Sequence, residues 1–275
     1  MDRANGVKGS TAGPLPPAEK KAVYVRDMFG RIACRYDLMN RLMTFGRDSA
    51  WRRYTVSRLG LGEPLTSAQP PGSGARLVLD VATGTGDLAF ETLEQSPDAR
   101  VIGLDFVPEM LALAQKKARA MEGNGHAAYP GGISQFASGS LALLAGDALQ
   151  IPFPDRAFDA ILTGFALRNV ADIPAAFAEM ARVTKPGGRI ACLEIAKPRT
   201  PLFRRLFALY FYRLVPLVGG WISGQPDAYS YLPHSLSVFL TPDEIVEVMS
   251  QAGWHDVGYK RLMLGTVAVH VGARR

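Results

Sequence analysis

The residues best spaced to do chemistry are Asp80, Gly84-Thr85-Gly86 and Asp105, with Asp105 lying 19 positions beyond Gly86. Glycines at such a point let the backbone turn sharply and approach a ligand, and the helix opened by Asp87 and Leu88 presents free N–H groups there. A carboxylate at the distance of Asp105 is where a doubly wound sheet meets a ribose diol. The same residues satisfy the looser dinucleotide pattern Gly84-x-Gly86-x-x-Ala89, so a nicotinamide-dependent oxidoreductase is a competing reading. Asp80 before the loop and Asp147 after the third strand tilt the choice. Carboxylates repel a pyrophosphate, whereas a sulfonium cofactor such as S-adenosylmethionine carries positive charge and no phosphate.

Three further groups have chemistry-bearing types. Tyr36, Asp37 and Asn40 place a phenol, a carboxylate and an amide together, suited to acid, base or hydrogen-bonding work on a substrate; helix capping by Asp37 and Asn40 is the plainer alternative. Arg168 and Asn169 supply a permanent charge and a bidentate amide to hold a substrate oxygen, against the alternative of a surface ion pair. Asp147 is a candidate partner for an adenine amino group or a turn-forming Asp, and Glu194 either lines the cleft or pairs with Lys197. Cys34 and Cys192 are far apart and lack metal-ligand spacing, so no metal or disulfide framework is expected and a reducing cytoplasmic compartment is the simplest setting.

The elements that must position these residues follow from the pattern. The apolar run at 76–82 predicts a buried parallel strand, further strands are expected at 100–104, 141–145, 157–162 and 189–195, and 255–261 and 266–273 close the chain as two more. Helices are expected from Asp87, over 109–121, over 172–183 with Asp172 as N-cap and Pro174 in the first turn, and after Thr241, where Pro242 and Glu244 complete a capping-box pattern. Met28, Phe29, Ile32 and Ala33, then Leu38, Met39, Leu42 and Met43, predict two short amphipathic helices forming a lid over residues 19–60. Residues 1–18 read as a disordered tail without a signal peptide, and 61–75 and 122–140 as long loops, the latter holding a solvated His126. The remainder, 61–275, is one domain with an insertion covering the substrate at about 200–240.

Composition sets outer bounds. A 48% hydrophobic and 20% charged chain is ordinary for one α/β domain with elaborations. Its net charge of +6, with a pI near 9.4, favours an acidic membrane surface over nucleic acid, because no Lys/Arg run or aromatic-interleaved basic motif occurs, and a basic protein with neither partner is an equal reading. Residues 201–222 are the most apolar stretch, yet Arg204, Arg205, Arg213 and Pro216 leave no uncharged span of about 18 residues. They read as a cover facing lipid or a long isoprenoid tail, favoured over a helix simply packed on the core, with Tyr229, Tyr231 and His234 continuing it. No pattern marks a symmetric interface, and a homodimer stays open.

Taken together, these stretches resemble the ubiquinone/menaquinone biosynthesis C-methyltransferases. The matches are Phe29–Asn40, Leu79–Asp87, Gly103–Met110, Gly164–Val170, Lys185–Gly188 and Tyr229–Phe239, and the resemblance covers nearly everything from residue 24 to the end. Leu167-Arg168-Asn169-Val170 with Tyr36-Asp37-x-Met39-Asn40 is its specific part. The resemblance implies a class I methyltransferase fold: a Rossmann-like α/β seven-stranded sheet, last strand antiparallel, with an N-terminal helical lid. It implies S-adenosylmethionine as methyl donor, no metal, and a polyprenylated quinol as substrate, with Thr85 in the glycine loop, Asp105 on the ribose, and Asp147 with Ala148 by the adenine. Asp48 and Leu240 depart from the family pattern, as does Gly164-Phe165-Ala166, which lacks a serine that contacts cofactor in some members. A methyltransferase for another lipophilic molecule and a non-catalytic subunit of a quinone-synthesis complex complete the alternatives.

Overall fold

A computed structural model describes residues 18–61, 75–123 and 140–275. The tail expected over 1–18 and the loops expected at 61–75 and 122–140, with His126, fall almost wholly outside these residues.

Seven strands form one sheet in the order β3-β2-β1-β4-β5-β7-β6. They are β1 (Leu77–Val81), β2 (Arg100–Asp105), β3 (Leu141–Ala145), β4 (Phe158–Gly164), β5 (Thr184–Ile195), β6 (Trp254–Leu262) and β7 (Val267–Arg274). All pairings from β3 across to β5 are parallel, and β7 runs antiparallel to both β5 and β6. Val78, Leu79 and Val81 are fully buried, as expected of a strand covered on both faces. From β1 the chain builds outward to β2 and β3 and then returns to lay β4 on the other side of β1. That reversal opens a crevice at the carboxyl ends of β1 and β4, the place where open α/β sheets bind ligands.

Helices α3 (Asp87–Gln95), α4 (Pro108–Gly123), α5 (Ile173–Val183) and α9 (Pro242–Gln251) flank the sheet. Asp172 accepts the Ala175 N–H and Thr241 forms a complete capping box with Glu244, both as the sequence indicates.

The N-terminal segment departs from expectation. The two apolar stripes lie on a single 26-residue helix, α1 (Ala18–Met43), followed by α2 (Asp48–Ser57). Gly30 does not break α1; a Cβ there would lie 3.2 Å from the Glu109 carboxyl carbon, so glycine lets α1 pack closely on α4. The helix ends instead just ahead of Phe45 and Gly46, both with positive φ. Pro216 likewise fails to break its segment. The chain stays helical through α6 (Pro201–Leu209), a π-helical turn (Tyr210–Leu214) and α7 (Val215–Ser223), with the proline in the first turn of α7 and the wider turn preceding it. Helix α8 (Pro226–Ser237) completes the cover over the sheet's carboxyl edge. β5 also starts earlier than expected, with Gly187 and Gly188 inside the strand, where a register shift against β4 absorbs them.

Candidate active site

The glycine loop follows from its backbone. Ala82, Gly84 and Gly86 all have positive φ, which carries the chain from β1 over the sheet edge into α3. Asp105, at the end of β2, accepts the Gly84 N–H on Oδ2 at 2.7 Å and the Val107 N–H on Oδ1 at 2.9 Å. One carboxylate thus holds two loops in place while bordering the cavity between them. Burial raises its pKa and the backbone N–H groups partly offset that.

This first cavity is lined by Ala82, Gly84, Asp105, Phe106, Asp147, Ala148 and Asn169, with Phe29 and Tyr36 of α1 closing it. Asp147 both borders it and forms a turn, its Oδ1 accepting the Leu149 N–H at 2.9 Å. The two roles weighed from sequence are compatible. Asp80 sits deeper, beside a small recess lined with Thr83, Gly84, Thr85, Asp87 and Arg52. It is 1% exposed, its Oδ2 accepts the Thr83 hydroxyl at 2.6 Å, and burial pushes its pKa up to about 7. Its buried Oδ1 has no hydrogen-bond partner among the described residues.

These features fit S-adenosylmethionine. A Cβ at Gly84 would meet nothing within 4 Å, so the loop backbone faces open space. Asp105 lies on the wall for a diol, and Asp80 offers an unsatisfied buried acceptor where a cationic group would settle. The carboxylates of Asp105 and Asp147 on the crevice, with Asp80 in the adjoining recess, disfavour a pyrophosphate. Among the described residues no cluster of three His, Cys, Asp or Glu side chains is placed to hold a metal ion.

A second cavity of about 160 Å³ adjoins the first. Cavities of roughly 150 Å³ admit a benzene ring. Its walls are apolar and aromatic, from Met43 of α1, Phe45 in the turn after it, Trp51 of α2, Phe207, Tyr210 and Phe211 of the cover, and Val267 of β7. Polar groups border it as well: Tyr36, Asn40 and Arg168, together with the Asp48–Arg52 ion pair. A smaller third cavity brings Tyr36, Asn40, Arg168 and Asn169 together with Tyr229 and Tyr231. Tyr36 therefore borders the cofactor crevice, the recess by Asp80 and both inner cavities. Burial raises its pKa, with Asn40 and Arg168 pulling partly back, so it stays a neutral phenol near pH 7.

Arg168 is 8% exposed and sits on a 3-10 turn, Leu167–Asn169, after β4. Its Nη1 donates to the Phe165 carbonyl at 2.7 Å and lies 3.7 Å from Glu194 Oε2. The Glu194 alternatives are thereby corrected: its partner is Arg168, while Lys197 reaches the Ser237 carbonyl instead.

Asp37 lies apart from the cavity walls. Its Oδ1 accepts the Thr85 hydroxyl at 2.7 Å, and its Oδ2 is 2.6 Å from Lys117 Nζ on α4. Lys117 also donates to Thr85 Oγ1 and Asp87. Arg52 extends the network, pairing with Asp87 at 3.0 Å and with Asp48. Lys117 and Arg52 were missed from sequence because each reads alone as an ordinary helix-surface cation. Asp48, a departure from the family pattern, is the buried partner that keeps Arg52 in place.

Known proteins match this chain over nearly its whole length. The model of the ubiE/COQ5 methyltransferase family matches residues 18–274. A demethylmenaquinone methyltransferase of Roseiflexus castenholzii is 45% identical over 261 residues, 95% of this chain and 98% of that protein. A ubiquinone/menaquinone biosynthesis C-methyltransferase UbiE from a Geobacter species is 39% identical over 256 residues, covering 93% and 98%. Among solved structures, a SAM-dependent methyltransferase from Aquifex aeolicus superposes with a TM-score of 0.53 at 18% identity, covering 86% of this chain and 96% of that one. This last likeness speaks to the fold alone.

Proposed function

The chain belongs to the ubiE/COQ5 methyltransferase family, and from that premise we propose that it is an S-adenosylmethionine-dependent C-methyltransferase acting on a polyprenylated quinol, converting demethylmenaquinol to menaquinol. The observation that carries the reading is the placement of Arg168 and Asn169. Their turn separates the acidic crevice suited to the methyl donor from the apolar cavity suited to a ring, and Tyr36 borders both. The names of the relatives support the quinol class.

S-adenosylmethionine, when bound, supplies an activated methyl on a sulfonium. The chain's own task is to make a ring carbon nucleophilic and to align it. A ring carbon attacks well only when the neighbouring phenol loses its proton, and a fixed cation in a dry site stabilises the oxygen anion. Arg168 is that cation, and the carboxamide of Asn169 and the phenol of Tyr36 complete the cradle for the oxygen. Asp80 attracts the positively charged end of the donor, and Asp105 takes the ribose. Asp37 serves the site from outside, fixing Thr85 and Lys117 so that the glycine loop keeps its shape. The stacked and apolar walls fix the ring's plane, which supplies orientation.

The substrate's tail fits an attachment to a lipid surface. Along α6 to α7 the side chains of Leu202, Leu206, Leu209, Leu217 and Trp221 are exposed, Trp221 by 86%, and Phe45 in the turn after α1 is 72% exposed. Arg204, Arg205 and Arg213 are exposed among them, and no carboxylate occurs between 201 and 223. That combination suits an anionic headgroup layer above an apolar interior. No described helix is long and apolar enough to cross a membrane. The function is tested by incubating the protein with labelled S-adenosylmethionine and either chemically reduced demethylmenaquinol or a demethylated benzoquinol; label on the ring carbon of the naphthoquinol is expected.

A further inference from the structure

We infer that Glu194 is a positioning residue that controls the charge beside the methyl-accepting ring: its carboxylate balances Arg168 before substrate binds, and it takes up a proton when the quinol oxygen becomes the anion at that guanidinium. The inference rests on the quinol reading above.

The turn carrying Arg168 is folded around the Glu194 side chain. Glu194 Oε1 accepts the Leu167 N–H at 2.7 Å, the Phe165 N–H donates to the Leu193 carbonyl beside it at 2.7 Å, and the Phe165 carbonyl receives Arg168 Nη1. Arg168 and Glu194 are 8% and 1% exposed. A buried ion pair of purely structural use would be closed by hydrogen bonds on all its atoms, since each unmet one is a desolvation penalty. This pair is open: Nη1 and Oε2 are 3.7 Å apart, and both Arg168 Nε and Glu194 Oε2 lack a hydrogen-bond partner among the described residues.

In such a poorly solvated setting one guanidinium balances one anion, and a second negative charge nearby is strongly repelled. Either Glu194 or the quinol oxygen is therefore ionised beside Arg168. Among the described carboxylates Glu194 is the one set against the Arg168 guanidinium, Asp48 on the ring cavity being paired with Arg52 and Asp80 lying in the separate recess by the glycine loop. Cys192 on the same strand is held protonated by burial, as are Tyr36 of α1 and Tyr231 of α8, both of which face Arg168. His270 on β7, opposite Cys192, is buried, with its pKa lowered to about 4, so it is neutral near pH 7. Arg52 of α2 is engaged with Asp48 and Asp87. Burial raises the Glu194 carboxyl above its ordinary range and Arg168 only partly reverses this, so gaining a proton is within its reach.

The exchange balances. The quinol O–H bond breaks, its electron pair staying on the ring oxygen; because Glu194 is buried behind Arg168, the proton leaves to water at the ring cavity and one from water forms the O–H bond at Glu194 Oε2, so that none is gained or lost overall. After methyl transfer the ring C–H proton is lost to solvent, the oxygen recovers its proton, and Glu194 returns to carboxylate. One proton is released per turnover.

The test uses the full-length protein with S-adenosylhomocysteine and a reduced short-chain demethylmenaquinol, a complex that cannot react. Difference infrared spectra, with and without ¹³C-labelled glutamate, should show a carboxylic-acid C=O band on quinol binding that shifts with the label and is missing in Glu194→Gln. In the wild type the quinolate absorbance of this complex and kcat should be flat across about pH 6.5 to 8.5, because no proton is gained or lost overall. In Glu194→Gln, which keeps an acceptor for Leu167 and loses the charge, both should climb by about tenfold per pH unit toward a plateau, since the proton now goes to bulk water. S-adenosylhomocysteine affinity should stay within about twofold. No acid band in the wild-type complex overturns the inference, and needs no variant to fold. A Glu194→Gln pH profile matching the wild type overturns it too. Failure of the quinol reading is separately visible, as absent methyl transfer by the wild type.

Discussion

Thr85 donates its hydroxyl to Asp37 Oδ1 at 2.7 Å, joining residues 48 positions apart and tying α1 to the glycine loop. Lys117 closes the contact by reaching both. Asp37 is partly exposed, so solvent weakens the ion pair, and Asp37→Asn should lose about 1 kcal/mol of binding, roughly fivefold in affinity for S-adenosylhomocysteine by titration calorimetry. The rate at saturating donor should change less. A large fall in kcat with affinity intact would instead return Asp37 to the deprotonation role its residue type first suggested.

Asp80 gives a pH dependence of known sign. Its carboxyl is raised to about 7 in the folded chain, whereas a cationic donor prefers it ionised. S-adenosylmethionine binding should therefore tighten as pH rises through about 7 and level off above, and Asp80→Asn should flatten the curve. Without ligand the linkage runs the other way. A raised carboxylate pKa means the folded state holds a proton that the unfolded chain has released, so stability declines as pH climbs from about 4 to about 7. Melting temperatures with and without donor should diverge over that interval.

Gly86 is conformationally fixed, with φ of +87° and a Cβ position 2.8 Å from the buried Phe90 ring. Gly86→Ala should destabilise the chain by about 1 to 3 kcal/mol through strain and overpacking. In a chain of this size that lowers Tm by roughly 2 to 4 °C per kcal/mol, and calorimetry reads it directly. Gly84→Ala, with open space around it, should lose less stability and more cofactor affinity.

The exposed apolar face predicts lipid attachment. Leu217→Ser with Trp221→Ser should reduce sedimentation with anionic liposomes several-fold, while turnover of a short-chain quinol in detergent stays near wild type. If the face instead buries itself against a second copy of this chain, the double variant will change the mass seen by light scattering and leave liposome binding untouched.

What the sequence could reveal followed the range of the interactions involved. The Gly84, Gly86 and Asp105 spacing was readable because a local turn and one strand repeat fix it, and Asp172 and Thr241 cap their helices within three residues. The continuity of α1 was not, because Tyr36, Asp37 and Asn40 between the two apolar stripes read as a junction, whereas Asp37 finds its partners, Thr85 and Lys117, on distant elements. Glu194 lies 27 positions from the turn it organises, and Lys117 lies 80 positions from Asp37. For Glu194 the nearest plausible partner in sequence, Lys197, was the wrong one, and only tertiary packing chose the buried Arg168; for Asp37 no partner was readable at all. The Tyr36 cluster was visible as a set of types, but the split in which Tyr36 faces the cavities and Asp37 turns to the loop depends on which side of α1 meets the sheet.

The most direct measurement is transfer of labelled methyl from S-adenosylmethionine to chemically reduced demethylmenaquinol, run with the wild type and Arg168→Ala side by side. Wild-type protein should place label on the ring carbon, and Arg168→Ala should lose roughly 100-fold or more in kcat, the scale on which removing one oxyanion stabiliser acts, with S-adenosylhomocysteine affinity near wild type. No label in the naphthoquinol or in a demethylated benzoquinol would contradict the proposed reaction, and equal losses of turnover and cofactor affinity in the variant would contradict the role of Arg168.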